Sequence, residues 1–315
     1  MKASVVVTTC NEEESIGKLL ESLVKQSLKP NEIVIVDSES SDKTVELIKE
    51  FNQDVINIKL ISKKCTRGEG RNIGVEKAKS EIITMTDAGC VADTNWLERI
   101  TKPLENDDVD AVAGFYKMTA KSAFQKAAAV FLGTLPTQFN DNFLPSTRSI
   151  AFTKSIWKKV GGFPNLNTAE DTVFNFRLIN YGAGIKRVKS ARVEWRIPSD
   201  LSQVLKKMFN YAKGDAESNL WKYNTNSYTS HNIKVLLIYF RYILGIFLLI
   251  ISTVSPLFMY ILILSLISYC LWSFWKVYSH TREIRAGLWG IVLQITSDLT
   301  VMSGFLIGTI KHGLL

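Results

Sequence analysis

Histidine is scarce in this chain. Three occur in 315 residues, at 231, 280 and 312, and none precedes residue 231. For an active site in the N-terminal two thirds that needs a general base, a carboxylate is the natural candidate. Cysteine is nearly as sparse. Cys10, Cys65, Cys90 and Cys270 include no CxxC pair, which excludes a disulfide framework or a cysteine-built zinc site and suits a reducing compartment. The first apolar run, 3–9, is short and ends in Asn11 and the acids Glu12, Glu13 and Glu14, so a signal peptide is not expected. A basic patch interleaved with aromatics is also lacking. The net charge of +8 calls for an anionic partner, but the lysines are scattered. A phosphorylated substrate or anionic lipid fits, and nucleic acid does not.

What is present divides in two. From residue 1 to about 198, short β-branched runs alternate with helical periodicities. Strands are expected at 3–9, 32–36, 57–61, 82–86, 111–116 and 150–153. Helices are expected at 13–26, 42–51, 70–79, 96–104, 120–135, 155–160 and 172–180. This alternation implies an α/β fold with a mostly parallel sheet covered on both faces.

From about 233 onward the chain reads as membrane. The apolar stretches 235–252, 256–277 and 288–310 are each long enough to cross a ~30 Å hydrocarbon layer. Lys222 and Lys234 precede the first, and Lys276, Arg282 and Arg285 separate the second from the third. If all three cross, positive charge places the N-terminal domain in the cytoplasm and the C-terminus outside. Arg241 lies inside the first stretch, within snorkelling reach of its end. Asp298 in the third is expected to make a buried polar contact rather than a proton path. Between the two parts, 199–232 forms an amphipathic segment. Leu201, Val204, Leu205, Met208, Phe209 and Ala212 make one stripe, with Lys206, Lys207 and Lys213 off it. Two readings compete, a helix in the membrane interface and a helix packed on protein. The adjoining membrane stretch favours the first.

Each strand of the N-terminal part ends in polar residues. Thr8, Asn11 and Glu12 close the first, Asp37 and Ser38 the second, and Asp87 the stretch 82–86. Open α/β sheets bind ligands at this edge, although such residues also suit turns and helix caps. The segment KKCTRGEGRNIG sets Arg67 and Arg71 among glycines before a helix, a pattern compatible with phosphate. GGFPNLNTAED places Glu170 and Asp171 at a helix start, where acids also suit the helix dipole.

Taken together, VVVTTCNEE, VIVDSESSDKT, GRNIG, TDAGC, GGF and ED resemble the inverting glycosyltransferases of family 2. The resemblance covers about residues 1–198. It implies a GT-A, Rossmann-like fold and transfer of a sugar from a UDP- or GDP-linked donor with inversion. By that resemblance Thr8, Glu12 and Asp37 hold the nucleoside, Arg71 lies near it or the diphosphate, and Asp171 is the catalytic base. Asp87 would be the first acid of a D-x-D motif that binds Mg²⁺ or Mn²⁺. The second acid is replaced by Gly89, which leaves a weak metal site. RVEWR at 192–196 transposes the Trp and Arg of the processive synthases, so processivity is not expected. Trp195 and Arg196 are then placed on the acceptor or diphosphate side.

The membrane stretches point to a lipid-linked acceptor, a polyprenyl or dolichyl phosphate or a glycolipid. The alternatives are a non-processive synthase acting on a non-lipid glycan and a catalytically silent, membrane-tethered sugar-nucleotide binder.

Overall fold

The computed structural model of the chain describes residues 2–51, 56–220 and 231–311. Lys222, His312 and the 221–230 part of the amphipathic segment lie outside the described residues. The chain divides into two compact units, Met1–Thr119 with Leu135–Arg196, and Ala120–Thr134 with Ile197–Leu315. The first unit ends at Arg196, close to the expected boundary at 198. The stretch 120–134 departs from it and belongs to the second unit.

The first unit is one eight-stranded sheet with helices. Its strands are β1 (Ala3–Thr9), β2 (Glu32–Asp37), β3 (Ile58–Ser62), β4 (Ile82–Met85), β5 (Cys90–Ala92), β6 (Ala111–Thr119), β7 (Ile150–Thr153) and β8 (Ile185–Arg196). They lie in the order β3-β2-β1-β4-β7-β6-β8-β5. The first four pair in parallel, with Thr9 beside Asp37 and Asp37 beside Ser62. Residues of β2 are buried throughout, as both-face coverage by crossover helices requires. β7 runs antiparallel to β4, with Met85 opposite Ile150. That single reversal brings the residues just before β7 beside those just after β4.

Two strands escape the sequence pattern. β8 carries Lys186, Lys189, Arg192 and Arg196 and shifts register between Ala113 and Phe115 of β6. Its apolar alternation survives only at Ala191, Val193 and Trp195. β5 is three residues long.

The helices of this unit are α1 (Ile16–Val24), α2 (Thr44–Glu50), α3 (Arg67–Lys77), α4 (Trp96–Thr101), α6 (Lys154–Lys159) and α7 (Glu170–Tyr181). α3 starts three residues earlier than expected because Thr66 caps it, its hydroxyl accepting from Glu69 N–H at 3.2 Å. Asp42 sits two residues ahead of α2 and accepts from Thr44 N–H at 3.0 Å. Phe152, Phe163, Phe174 and Leu178 fill the core with Val6, Val34 and Ile83.

In the second unit, α5 (Ala123–Leu132) opens on a Ser122–Gln125 capping box. α8 (Leu201–Glu217) is capped by Asp200, which accepts from Gln203 N–H at 3.1 Å. α9 (His231–Ile251), α10 (Pro256–Thr281) and α11 (Ile284–Lys311) follow. These last three are long and apolar enough to cross a membrane, but α11 is far more covered by protein than the other two. Asp298 of α11 accepts from Arg241, Tyr242, Tyr269 and Gln294. It is the buried polar contact expected.

The stripe on α8 is not laid bare. Val204, Met208, Ala212 and Ala216 are buried, while Leu201, Leu205 and Phe209 are half-buried. Ala212 and Ala216 cluster with Val235 and Phe305. A Cβ on Gly304 would come within 2.4 Å of the Phe209 carbonyl, and one on Gly308 within 2.5 Å of the Lys213 carbonyl. Backbone meets backbone there through a small-x-x-x-small pattern.

Candidate functional site

The polar strand ends of the first unit build two adjoining groups. The first follows β1 and β2. Asn11 adopts a left-handed backbone, φ 55°, and its Oδ1 accepts from Ser41 N–H at 2.8 Å. Glu12 donates its N–H to Thr44 Oγ1 at 2.7 Å and accepts from Ser15 Oγ at 2.6 Å. Buried Asp37 accepts from Ser40 N–H at 3.0 Å and from Ser40 Oγ at 2.5 Å. Ser38 Oγ donates to the Cys65 carbonyl at 2.7 Å. Thr8 is half-buried, its methyl close against Gly70. The turn and cap roles that sequence allows these residues are therefore real. A carboxylate keeps further acceptor capacity beyond two such bonds.

The second group centres on Arg71, which is 3% exposed. Its Nη2 donates to Asp87 Oδ1 at 3.0 Å and to Thr147 Oγ1 at 2.7 Å. Its Nη1 forms an ion pair with Glu170, itself 3% exposed. Helix α3, the end of β4, the lead-in to β7 and the start of α7 are thereby tied together. Burial lowers the Arg71 guanidinium to about 10, against the opposing pull of Asp87 and Asp171. Burial also works to raise the Asp87 carboxyl, but Arg71, Arg148 and Arg67 outweigh it and hold it below the ordinary carboxylate range.

Glu170 and Asp171 part company. Glu170 faces inward, while Asp171 is half-buried and accepts from Thr172 N–H at 2.9 Å. The preceding Ala169 is left-handed at φ 62°, a conformation uncommon outside glycine and asparagine. That turn aims the first acid into the core.

Arg148 carries no signal in the sequence, yet it joins this group. Its Nε lies 3.9 Å from Asp87 Oδ2, and its guanidinium sits over Trp195 at 4.1 Å and Tyr116 at 5.0 Å. Only the antiparallel run of β7 explains its arrival. Trp195 is buried beneath it. Arg196 is exposed and, one residue on, points to the opposite face of β8. The geometry thus brings Trp195 to the cluster and leaves Arg196 out. Arg67 stands exposed at the start of α3.

The glycines around Arg71 serve packing. A Cβ on Gly68 would meet the Pro164 carbonyl at 1.8 Å, and one on Gly74 would meet Val6 at 2.3 Å. Gly68 N–H donates to the Leu166 carbonyl at 2.9 Å. Asn72 donates to the Phe163 carbonyl at 2.8 Å and accepts from Phe163 N–H at 2.9 Å, so GRNIG and GGFPNLNT are two sides of one contact.

For a divalent cation the donor set is thin. No group of three His, Cys, Asp or Glu side chains converges among the described residues. Asp87 is the carboxylate at the cluster's open side. A Cβ on Gly89 would stand 3.7 Å from Glu12 Oε2, the nearest other acid. This set fits a cation that arrives with ligands of its own, not one held by protein alone.

Residues 4–157 match the family model described as Glycosyl transferase family 2. The glycosyltransferase AglE of Haloferax volcanii is 25% identical over 225 residues, 68% of this chain and 73% of that one. Further curated glycosyltransferases match over half of their length or less. Among solved structures, the mannosyltransferase PcManGT of Pyrobaculum calidifontis, in complex with GDP-Man and Mn²⁺, superposes with a TM-score of 0.56 at 17% identity. The match covers 99% of this chain and 87% of that one. TarS 1–349 of Staphylococcus aureus with UDP-GlcNAc gives 0.54 at 18% identity, covering 94% and 92%. At these identities the two structures establish the fold alone. Residues 4–157 thus lie in a glycosyl transferase family 2 domain of GT-A-like fold, and the chain is a glycosyltransferase.

Proposed function

We propose that the protein is a membrane-bound inverting glycosyltransferase that moves a sugar from a UDP- or GDP-linked donor to a lipid-linked acceptor. The observation that carries this reading is the Arg71 cluster. One buried guanidinium fixes Asp87, at the ligand-binding edge of the sheet, to the start of the α7 acids. Donor and acceptor chemistry then share one rigid support, as in-line displacement requires.

In this reading Asn11, Glu12, Asp37 and Ser38 line the nucleoside side, with Thr8 beneath them. Arg148 and Arg67 face the diphosphate. Asp171, half-exposed and next to the buried Glu170, takes the acceptor proton as the new bond forms at the anomeric carbon. Where the acceptor is a phosphate, already ionised at neutral pH, Asp171 orients it instead. Glu170 is a positioning residue that acts through Arg71. Asp87 would hold a divalent cation together with donor phosphates. When bound, that cation supplies charge neutralisation at the leaving diphosphate, the task it shares with the arginines. PcManGT, with its GDP-Man and Mn²⁺, and TarS, with UDP-GlcNAc, support this donor class.

The lipid acceptor rests on α9 and α10, whose apolar side chains are bare along most of their length. Lys234, Lys276, Arg282 and Arg285 stand at one end of that hairpin, which supports a catalytic unit on the cytoplasmic side of a multi-pass protein. A non-lipid acceptor is the second reading. It is favoured by the curated name of TarS, a poly(ribitol-phosphate) β-N-acetylglucosaminyltransferase.

A thermal-shift panel of UDP- and GDP-sugars, with and without Mg²⁺ or Mn²⁺, tests the donor and the cation together. One donor should raise the melting temperature, more so with metal. EDTA should reduce turnover with that donor. No shift with any nucleotide sugar would remove the reading. Full turnover in EDTA would leave charge neutralisation to the arginines alone.

A further inference from the structure

Both ends of α11 meet the same end of the α9–α10 hairpin. Its first turns stack on the C-terminal end of α10. There a Cβ on Gly287 would stand 2.5 Å from the Phe274 ring, and one on Gly290 would stand 2.8 Å from the Ser273 carbonyl. Its last turns meet the N-terminal end of α9. Tyr239 hydroxyl donates to the Met302 carbonyl at 2.7 Å, and Phe305 clusters with Val235. The hairpin turns at 252–255, so Val235 and Val277 both mark its open end. Midway along α11, Asp298 reaches Arg241 and Tyr242 on one arm and Tyr269 on the other. Fifteen residues separate Gly290 from Phe305, about 22 Å of helix. α11 therefore bridges two splayed arms. A helix crossing the bilayer beside the hairpin would carry one end to the turn.

The faces of α11 agree. Leu288, Val292, Ile295, Leu299, Leu306 and Ile310 form one exposed apolar stripe along its whole length. Opposite it, α5 covers the first half, with Phe124 edge-on to Trp289 at 5.0 Å and Lys126 paired to Glu283 at 2.6 Å. α8 covers the second half at Gly304 and Gly308. The outward face of α8 bears Ser202, Gln203, Lys206 and Asn210, all exposed. A face of that kind is excluded from hydrocarbon, so the last turns of α11 lie at the water side.

We infer that α9 and α10 cross the membrane and α11 does not. α11 lies along the face from which α9 enters, its apolar stripe sunk into one leaflet and α5 and α8 covering it from the water. The partner of this surface is the headgroup–acyl boundary of a bilayer. Arg282, Arg285 and Lys311 at its ends suit anionic headgroups. The C-terminus then shares a side with residue 231. This inference departs from the expectation of an outside C-terminus, which counted three crossings.

Single cysteines at Thr253 and Lys311 of the full chain test the topology, with labelling counted over the unsubstituted protein. An impermeant maleimide on intact cells should reach Thr253→Cys and leave Lys311→Cys unlabelled until the cells are opened. Labelling of Lys311→Cys on intact cells overturns the inference. Should Lys311→Cys express poorly, C-terminal fusions give the same answer. A fluorescent protein should be bright and alkaline phosphatase inactive, and the reverse pattern overturns the inference.

Nitroxides at Leu288, Leu299 and Ile310, in liposomes of phosphatidylcholine and phosphatidylglycerol, test the occupant. All three should report one shallow depth. A deep label at 299 between shallow neighbours would restore the crossing helix. Labels shielded from oxygen and broadened by one another would show a second copy covering the stripe and would remove the lipid role.

Discussion

Arg71 is the residue on which the candidate site turns. Its guanidinium is buried between two carboxylates on different elements, and such an arrangement is stable only while every partner is present. The adjacent acids of α7 should therefore fail in different ways. Glu170→Ala leaves a buried arginine short of its partner, which costs about 3–5 kcal/mol. It should lower the melting temperature of the detergent-solubilised protein and lower turnover with it. Asp171→Asn should leave the melting temperature and nucleotide-sugar binding intact while turnover drops ~10²–10⁴-fold. Equal melting temperatures for wild type and Glu170→Ala, or near-normal turnover for Asp171→Asn, would undo the division of roles. At this scale the sequence is legible where a polar residue directly ends a strand, as at Asp37 and Asp87. It is illegible for Thr147 and Arg148. Their place depends on β7 running against β4, and strand direction leaves no mark in local composition.

Among the elements, close packing explains glycines that motif reading assigns to phosphate. Gly68 and Gly74 let α3 approach the 164–166 backbone and β1. Gly304 and Gly308 do the same for α11 against α8. Gly304→Leu and Gly308→Leu should each cost about 1–3 kcal/mol through overpacking, read as a lower melting temperature in detergent. Gly245→Leu on α9 is the control. Among the described residues no neighbouring atom lies within 4 Å of a Cβ there, so it should change little. If Gly304→Leu proves as benign as Gly245→Leu, α8 and α11 do not pack as described. The small-x-x-x-small spacing is visible in the sequence, but its partner is not. Helix α8 carries enough lysine to read as a membrane-surface helix, and only the backbone contact reveals that α11 takes up part of its apolar side. β8 is the opposite case. Its five Lys and Arg residues hide a long strand that pairs with β5 and β6 and meets β6 through Tyr116–Trp195 and Lys117–Glu194 as well.

Across the whole molecule, the two units interleave in sequence. Residues 120–134 leave the sheet domain, form α5 and return. On α5, Phe124 meets Trp289, and Phe131 lies beneath the Lys276 ammonium, 3.9 Å from the ring centroid. Gln125 donates to the Ile197 carbonyl at 2.7 Å. Those partners all come from the C-terminal part of the chain. A protein cut after residue 198, where composition alone would place a domain boundary, keeps α5 and loses most of what covers it. The apolar face of Phe124, Ala127, Ala128 and Leu132 is buried in the full chain, and exposed contiguous patches of this kind drive association or membrane binding. The 1–198 fragment should therefore aggregate in buffer and become monodisperse on adding a mild detergent. Phe124→Ser with Phe131→Ser in the same fragment should reduce the need for detergent, because α5 loses its two largest apolar side chains, Phe124 of that patch and Phe131 beside it. Size-exclusion chromatography with light scattering reads both outcomes. A monomeric 1–198 fragment in plain buffer would show that α5 serves the sheet domain by itself, and the boundary near 198 would then separate two independent bodies.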